Sequence, residues 1–269
     1  LGTAFPMIAL IFFGTKLRDI FPKGKTLTEF VRNKFGKSLF KLVLILTIFY
    51  MFIFLCAELT AVAKLVQYIS GTSLWITAII VITTTLIYTL YGGLRASIFT
   101  DNIQFFIIIF LLLIAANYLL LSNNTEFSFE LIRRNAPYLI SVDYIPNFTA
   151  GLTFFIAVAA TNLFHQGNWQ RVFAAKNNEV LKKSLLISFF IIIPIVFFMG
   201  FSGLVAVSQN LKVNPDLALF SILLKDQTKT LSLIIIVLAI SLTISTVDTL
   251  INAISSLVIV DGKNVIKLN

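Results

Sequence analysis

Five polar residues recur along one apolar run near the end of the chain. Ser241, Ser245, Asp248, Asn252 and Ser255 follow one another at steps of four, three, four and three. That spacing places them on one face of a helix, and Thr246, Thr249 and Ser256 widen the stripe. Hydroxyls, an amide and a carboxylate are hard oxygen donors. Na⁺ is a hard cation that takes several such oxygens, by analogy with Ca²⁺ and Mg²⁺. The same stripe also suits helix–helix packing, because Ser and Thr are common where membrane helices touch. Packing does not need a carboxylate, so Asp248 weighs toward an ion or solute path.

A second carboxylate stands in "YGGLRASIFTDNIQ", residues 91–104. Gly92 and Gly93 allow a tight turn between two antiparallel helices. Thr100 or Asp101 then suits a helix N-cap, where the dipole favours negative charge. Alternatively Asp101, with Gln104 on the same face, lines the inner exit of a cation path.

The remaining polar residues carry less. Glu58 and Lys64 are six apart, a poor spacing for a pair on one helix. Glu58 then either contacts another helix or faces a cavity, and Lys64 snorkels to the interface. His165 is the one histidine, and with no matching ligands it makes a zinc site improbable. Trp169, Arg171 and Lys176 in "GNWQRVFAAKN" fit an interfacial anchor helix. Cys56, the one cysteine, cannot form an internal disulfide and is expected to be buried as a small apolar residue.

These residues need elements to hold them, and composition says in which solvent. The chain is 58% hydrophobic and 12% charged, with 27 Phe. A soluble domain has about 25% charged residues. Lipid is therefore the main solvent. The net charge of +9 does not point to nucleic acid, because the basic residues sit in short loops between apolar runs. No signal peptide is expected, since no charged region precedes the first apolar run. The chain begins at Leu1, so further sequence on that side is expected.

A membrane helix takes about 20 mainly apolar residues. One partial segment, 1–14, and six full ones, near 39–63, 74–91, 102–121, 148–166, 185–207 and 231–260, are predicted. They are too long for barrel strands, so the fold class is all-α integral membrane. The basic loops, with Lys16, Arg18, Lys23, Arg95, Arg171, Lys182 and Lys263, are expected on the cytoplasmic side. That puts the C-terminal end in the cytoplasm. A short outer helix is predicted around 126–134, and Pro215 suits the first turn of another. The sequons at Asn123 and Asn147 are expected to be chance matches.

Four stretches together resemble the sodium:solute symporter family. They are "TLTEFVRNKFG" at 26–36, "YGGLRASIFTDNIQ" at 91–104, "WQRVFAAKN" at 169–177 and "ISTVDTLINAISS" at 244–256. The resemblance covers essentially the whole chain and implies two inverted repeats of five helices. Residues 1–121 would be the remainder of the first repeat and 148–260 the start of the second. They would form one transmembrane domain, truncated at both ends relative to the family. The resemblance implies a sodium site at the Leu242 carbonyl and the Ser245 and Thr246 hydroxyls. It implies an inner sodium route at Asp101, and Asp248 and Asn252 extend the path on the same stripe.

The function expected is Na⁺-coupled symport of a small polar organic solute by alternating access, in a multi-pass protein of the cell membrane. The other expectation is a non-transporting remnant or sensor of the same architecture. No cofactor, no metal beyond Na⁺ and no nucleic-acid partner are expected. An enzyme is disfavoured because no nucleophile–base pair or metal cluster is visible.

Overall fold

The computed structural model of the protein describes residues 2–121, 127–211, 217–225 and 228–266. Among these residues every regular element is helical. Five helices are long and apolar enough to cross a membrane. They are α3 (Lys37–Ser70), α4 (Leu74–Leu121), α6 (Ile145–Phe164), α8 (Asn178–Ser208) and α10 (Lys229–Ser256). Shorter helices precede them, α1 (Phe5–Ile20) and α2 (Leu27–Phe35), or lie between them, α5 (Phe129–Asn135), α7 (Gln166–Ala174) and α9 (Ala218–Leu223). A π-helical turn, Leu257–Asp261, leads from α10 into α11 (Gly262–Ile266).

Two of the six predicted full spans form one helical run, α4, with a break inside it. Its 48 residues would make a rod of ~72 Å at 1.5 Å per residue, against a hydrocarbon core of ~30 Å. At Gly93 the backbone turns to φ 53°, ψ −144°. An L side chain rarely adopts that region, and glycine enters it freely. The break leaves two arms, each of membrane-crossing length. It also corrects the capping expectation for Asp101. Thr100 and Asp101 lie inside the second arm, and Thr100 Oγ1 donates back to the Ala96 and Ser97 carbonyls.

The first apolar segment runs on to Ile20 rather than stopping at 14. Lys16 and Arg18 have straight-chain side chains that cost a helix little. The short helix predicted around 126–134 is α5, and Ser128 caps it by accepting from the Leu131 N–H. Pro215 and Asn123 lie outside the described residues. Asn147 is in α6, where its side-chain amide donates to the Tyr138 and Ser141 carbonyls.

The chain divides into two compact units. The first comprises 1–57, 152–194 and 248–269, and the second 58–151 and 195–247. In the first, Leu10, Leu17, Trp169, Val172 and Leu181 form one buried cluster. Phe40, Leu44 and Leu257 form another, and Met51, Leu250 and Ala253 a third. In the second, Leu65, Ala115, Val205, Ile222, Leu223 and Ile235 are the main core. Leu111 and Leu112 pack with Leu238.

Outside these clusters the long helices expose apolar side chains, among them Phe52, Phe106, Phe110 and Phe197. In water such a surface would aggregate. In lipid it is the expected outer face. Cys56 belongs to that face: it is exposed, not buried as its type suggested. A small thiol at a lipid boundary costs no more than one in a core.

Candidate functional site

The second unit holds the carboxylate and hydroxyls singled out above. Ser245 Oγ on α10 donates to Asp101 Oδ1 on the second arm of α4 at 2.6 Å. One turn back along α10, the Leu242 carbonyl accepts from Thr246 Oγ1 at 3.2 Å. Each hydroxyl proton is thus directed at a protein oxygen, and acceptor chemistry is what both hydroxyl oxygens retain. Gln104, one turn beyond Asp101, has a buried Oε1 with no hydrogen-bond partner among the described residues. Hydroxyl, carbonyl, carboxylate and amide oxygens are the donor set a hard cation takes.

The first unit holds Asp248 and Asn252. Asp248 is fully buried and Asn252 nearly so. Asp248 Oδ1 accepts from Thr249 Oγ1 at 3.3 Å, and Thr249 Oγ1 itself accepts from Arg171 Nη2 at 2.9 Å. Gln170 Nε2 donates to the Asn252 carbonyl, and Asn252 Nδ2 to the Asp248 carbonyl. Helix α7 is therefore tied side chain by side chain to the end of α10. The structure places Asp248 and Asn252 in this polar network.

Helix α7 is built from its sequence to sit there. Asn168 Nδ2 and Trp169 Nε1 donate to the Asn162 and Leu163 carbonyls, which close the end of α6. The last carbonyls of a helix have no internal donor, so α7 supplies them. Trp169 is consequently buried against Leu10 and Val172. It is a core residue, not the headgroup anchor its neighbours Arg171 and Lys176 suggested. Gly167 packs so closely that a Cβ there would stand 2.5 Å from Thr249 Cγ2 and 3.0 Å from His165 ring atoms.

His165, between α6 and α7, is buried and edge-on to the rings of Tyr50 and Phe54. Burial, with the Arg171 charge adding to it, pushes its imidazole down to about 4. It is neutral at physiological pH. Among the described residues no group of three or more His, Cys, Asp and Glu is placed to hold a metal.

The "TLTE" stretch closes the same unit. Thr26 caps α2 by accepting from the Glu29 N–H, and Glu29 reaches back to accept from the Lys25 N–H, one residue before the cap. Gln166 at the head of α7 takes the Leu27 N–H and donates to the Lys25 carbonyl. Thr28 Oγ1 donates to the buried Asp261 carboxylate at 2.7 Å. The stretches at 26–36 and 169–177 and residues 248–256 of the last stretch thus belong to one unit, while 91–104 meets Ser245 in the other.

A model of the sodium:solute symporter family matches residues 3–267. The chain belongs to the sodium:solute symporter family. A curated member of the wider set of similar proteins is the spermidine transporter DUR31 of Candida albicans, 29% identical over 260 residues. The match covers 94% of this chain and 48% of that protein, so the chain spans about half the length of this curated relative. No solved structure matches. Family membership and the apolar helices make this a multi-pass membrane protein.

Sequence reasoning singles out Ser245, Asp101, Asp248 and Asn252 by their cost in an apolar helix. It misses Arg171, Gln166, Gln170, Thr28 and Asp261 as parts of a connected scaffold. The signal available is that they fall in or beside the stretches that resemble the family.

Proposed function

We propose that this chain forms the ion-coupling part of a secondary transporter that moves a small polar solute with Na⁺ by alternating access. The Ser245–Asp101 pair at 2.6 Å carries the reading. It joins a hydroxyl of the α10 stripe to the carboxylate of a second transmembrane arm. In this reading Na⁺ is bound by the Leu242 carbonyl and the Ser245 and Thr246 hydroxyls. Asp101 receives it on the inner side, and Asp248 and Asn252 keep the adjoining stretch of α10 polar. Inverted repeats, with 1–121 in the first and 148–260 in the second, would provide the two bodies that rock around the site. The basic loops and the C-terminal end would face the cytoplasm of a cell membrane.

A polyamine is the solute to test first. The relative from Candida albicans is named for spermidine, and a polycation suits buried carboxylates such as Asp248. Uptake of labelled spermidine by the full-length parent, with and without a Na⁺ gradient, tests both halves of the proposal. Accumulation that collapses without Na⁺ is expected. Equal uptake in its absence would contradict sodium coupling, and uptake of other polar solutes alone would contradict the polyamine.

A further inference from the structure

The first unit carries a groove of about 350 Å³ that the transport reading does not use. Its wall comes from the last turns of α1, the start of α2, the end of α6 and α7. The volume lies at the small end of ligand pockets, which run from about 300 to 1,000 Å³. Apart from Lys16 the lining is apolar, with Phe13, Phe30, Leu163 and Trp169 among it. The indole N–H of Trp169 is committed to the Leu163 carbonyl at 2.7 Å. Lys16 is thus the polar group a ligand meets.

Position narrows the occupant. Leu163 and Phe164 end a candidate membrane span, Ile145–Phe164. The groove therefore opens at the level where hydrocarbon gives way to headgroups. Lys16 is exposed at its edge, and exposed Lys23 and Lys25 follow on the connection that leads into α2. A cationic solute is repelled by this edge. An anionic headgroup is attracted by it.

We propose that this groove binds one acyl chain of an anionic phospholipid from the bilayer, with the lipid phosphate paired to Lys16. The acyl chain lies against Phe30, Leu163 and the indole of Trp169. The phosphate stays at the rim and takes a charge-assisted hydrogen bond from the ammonium group. The lipid then braces α1 against α7, the helix that holds the end of α10.

Brominated lipids test this by contact. Trp75 and Trp169 are the two tryptophans, so Trp75→Phe in the full 269-residue chain leaves Trp169 as the reporter. Phosphatidylglycerol brominated on its acyl chains is titrated into detergent micelles of the protein, and brominated phosphatidylcholine serves as the comparison. Saturable quenching is expected at lower mole fraction with phosphatidylglycerol. Lys16→Gln should weaken that preference ~10-fold, the equivalent of about 1.4 kcal/mol, and Lys16→Arg should keep it. Lys16 is exposed, so neither change endangers folding. Equal quenching by the two lipids overturns the proposal. So does a phosphatidylglycerol preference that survives Lys16→Gln. Absence of quenching by either lipid would mean that another segment or a second copy fills the groove, and overturns it too.

Discussion

Ser245 and Asp101 lie 144 positions apart in sequence, and their side chains meet at 2.6 Å. The contact joins α10 to the second arm of α4. It gives a partly buried carboxylate a donor that does not depend on bound cation. A hydrogen bond to a charged group contributes about 1.5–3 kcal/mol. The two residues should therefore be energetically coupled. A double-mutant cycle with Ser245→Ala and Asp101→Ala, read by thermal unfolding in detergent, should give a coupling of about 1–2 kcal/mol. Additive single effects would mean that the pair does not act as a unit.

The close approach of Gly167 to Thr249 makes a second case. Gly167→Ala puts a methyl into space already taken by Thr249 Cγ2. Overpacking of this kind costs about 1–3 kcal/mol. It should also push Thr249 away from Arg171. Adding Thr249→Ser removes the clashing methyl and keeps the hydroxyl. The double variant should recover much of the lost stability, and no recovery would place the strain elsewhere.

His165 supplies a pH dependence with a definite sign. Its imidazole is held at about 4 in the folded protein, by burial first and by Arg171 second. Unfolded, it titrates near 6.5. Stability linked to it is full above that value and is lost as pH falls from about 6.5 toward 4. The loss should reach a few kcal/mol at the acid end. Unfolding scans of the parent and of His165→Gln between pH 7 and pH 5 check this. The parent should fall more steeply, and parallel curves would mean that the ring is not held neutral.

Topology is open to direct labelling. Arg95 and Glu130 are both exposed. In a background without Cys56, a cysteine at 95 should react only with reagents reaching the cytoplasm, and one at 130 only with those outside. The reverse pattern would invert the orientation drawn from the basic loops.

The long helices were legible because lipid imposes a crude rule of length and apolarity. Gly92–Gly93 announced a break, and Gly93 makes it. The stripe on α10 was visible because polar groups are expensive there. What composition could not show was how residues of different helices meet. Trp169 beside Arg171 and Lys176 reads as an interfacial anchor. Its burial follows from the unsatisfied carbonyls at the end of α6, a need that arises only once α7 folds back on that end. Cys56 misled for the opposite reason. Buried and exposed positions are equally apolar in a membrane protein, so residue type does not separate them. Asp261 carries no signal of its own in the sequence, because its partner, Thr28, is 233 positions away.

In the proposed mechanism Na⁺ is bound by α10 at Ser245 and Thr246. The most direct test is the Na⁺ dependence of solute uptake by the full-length parent in proteoliposomes. Ser245→Ala and Thr246→Ala are compared with the parent. Each removes one oxygen and leaves helix packing nearly intact. Each should raise the half-saturating Na⁺ concentration ~10-fold, about 1.4 kcal/mol, while the KM for solute at saturating Na⁺ changes much less. A Na⁺ dependence unchanged in both variants would rule out this sodium site and leave the stripe as helix packing.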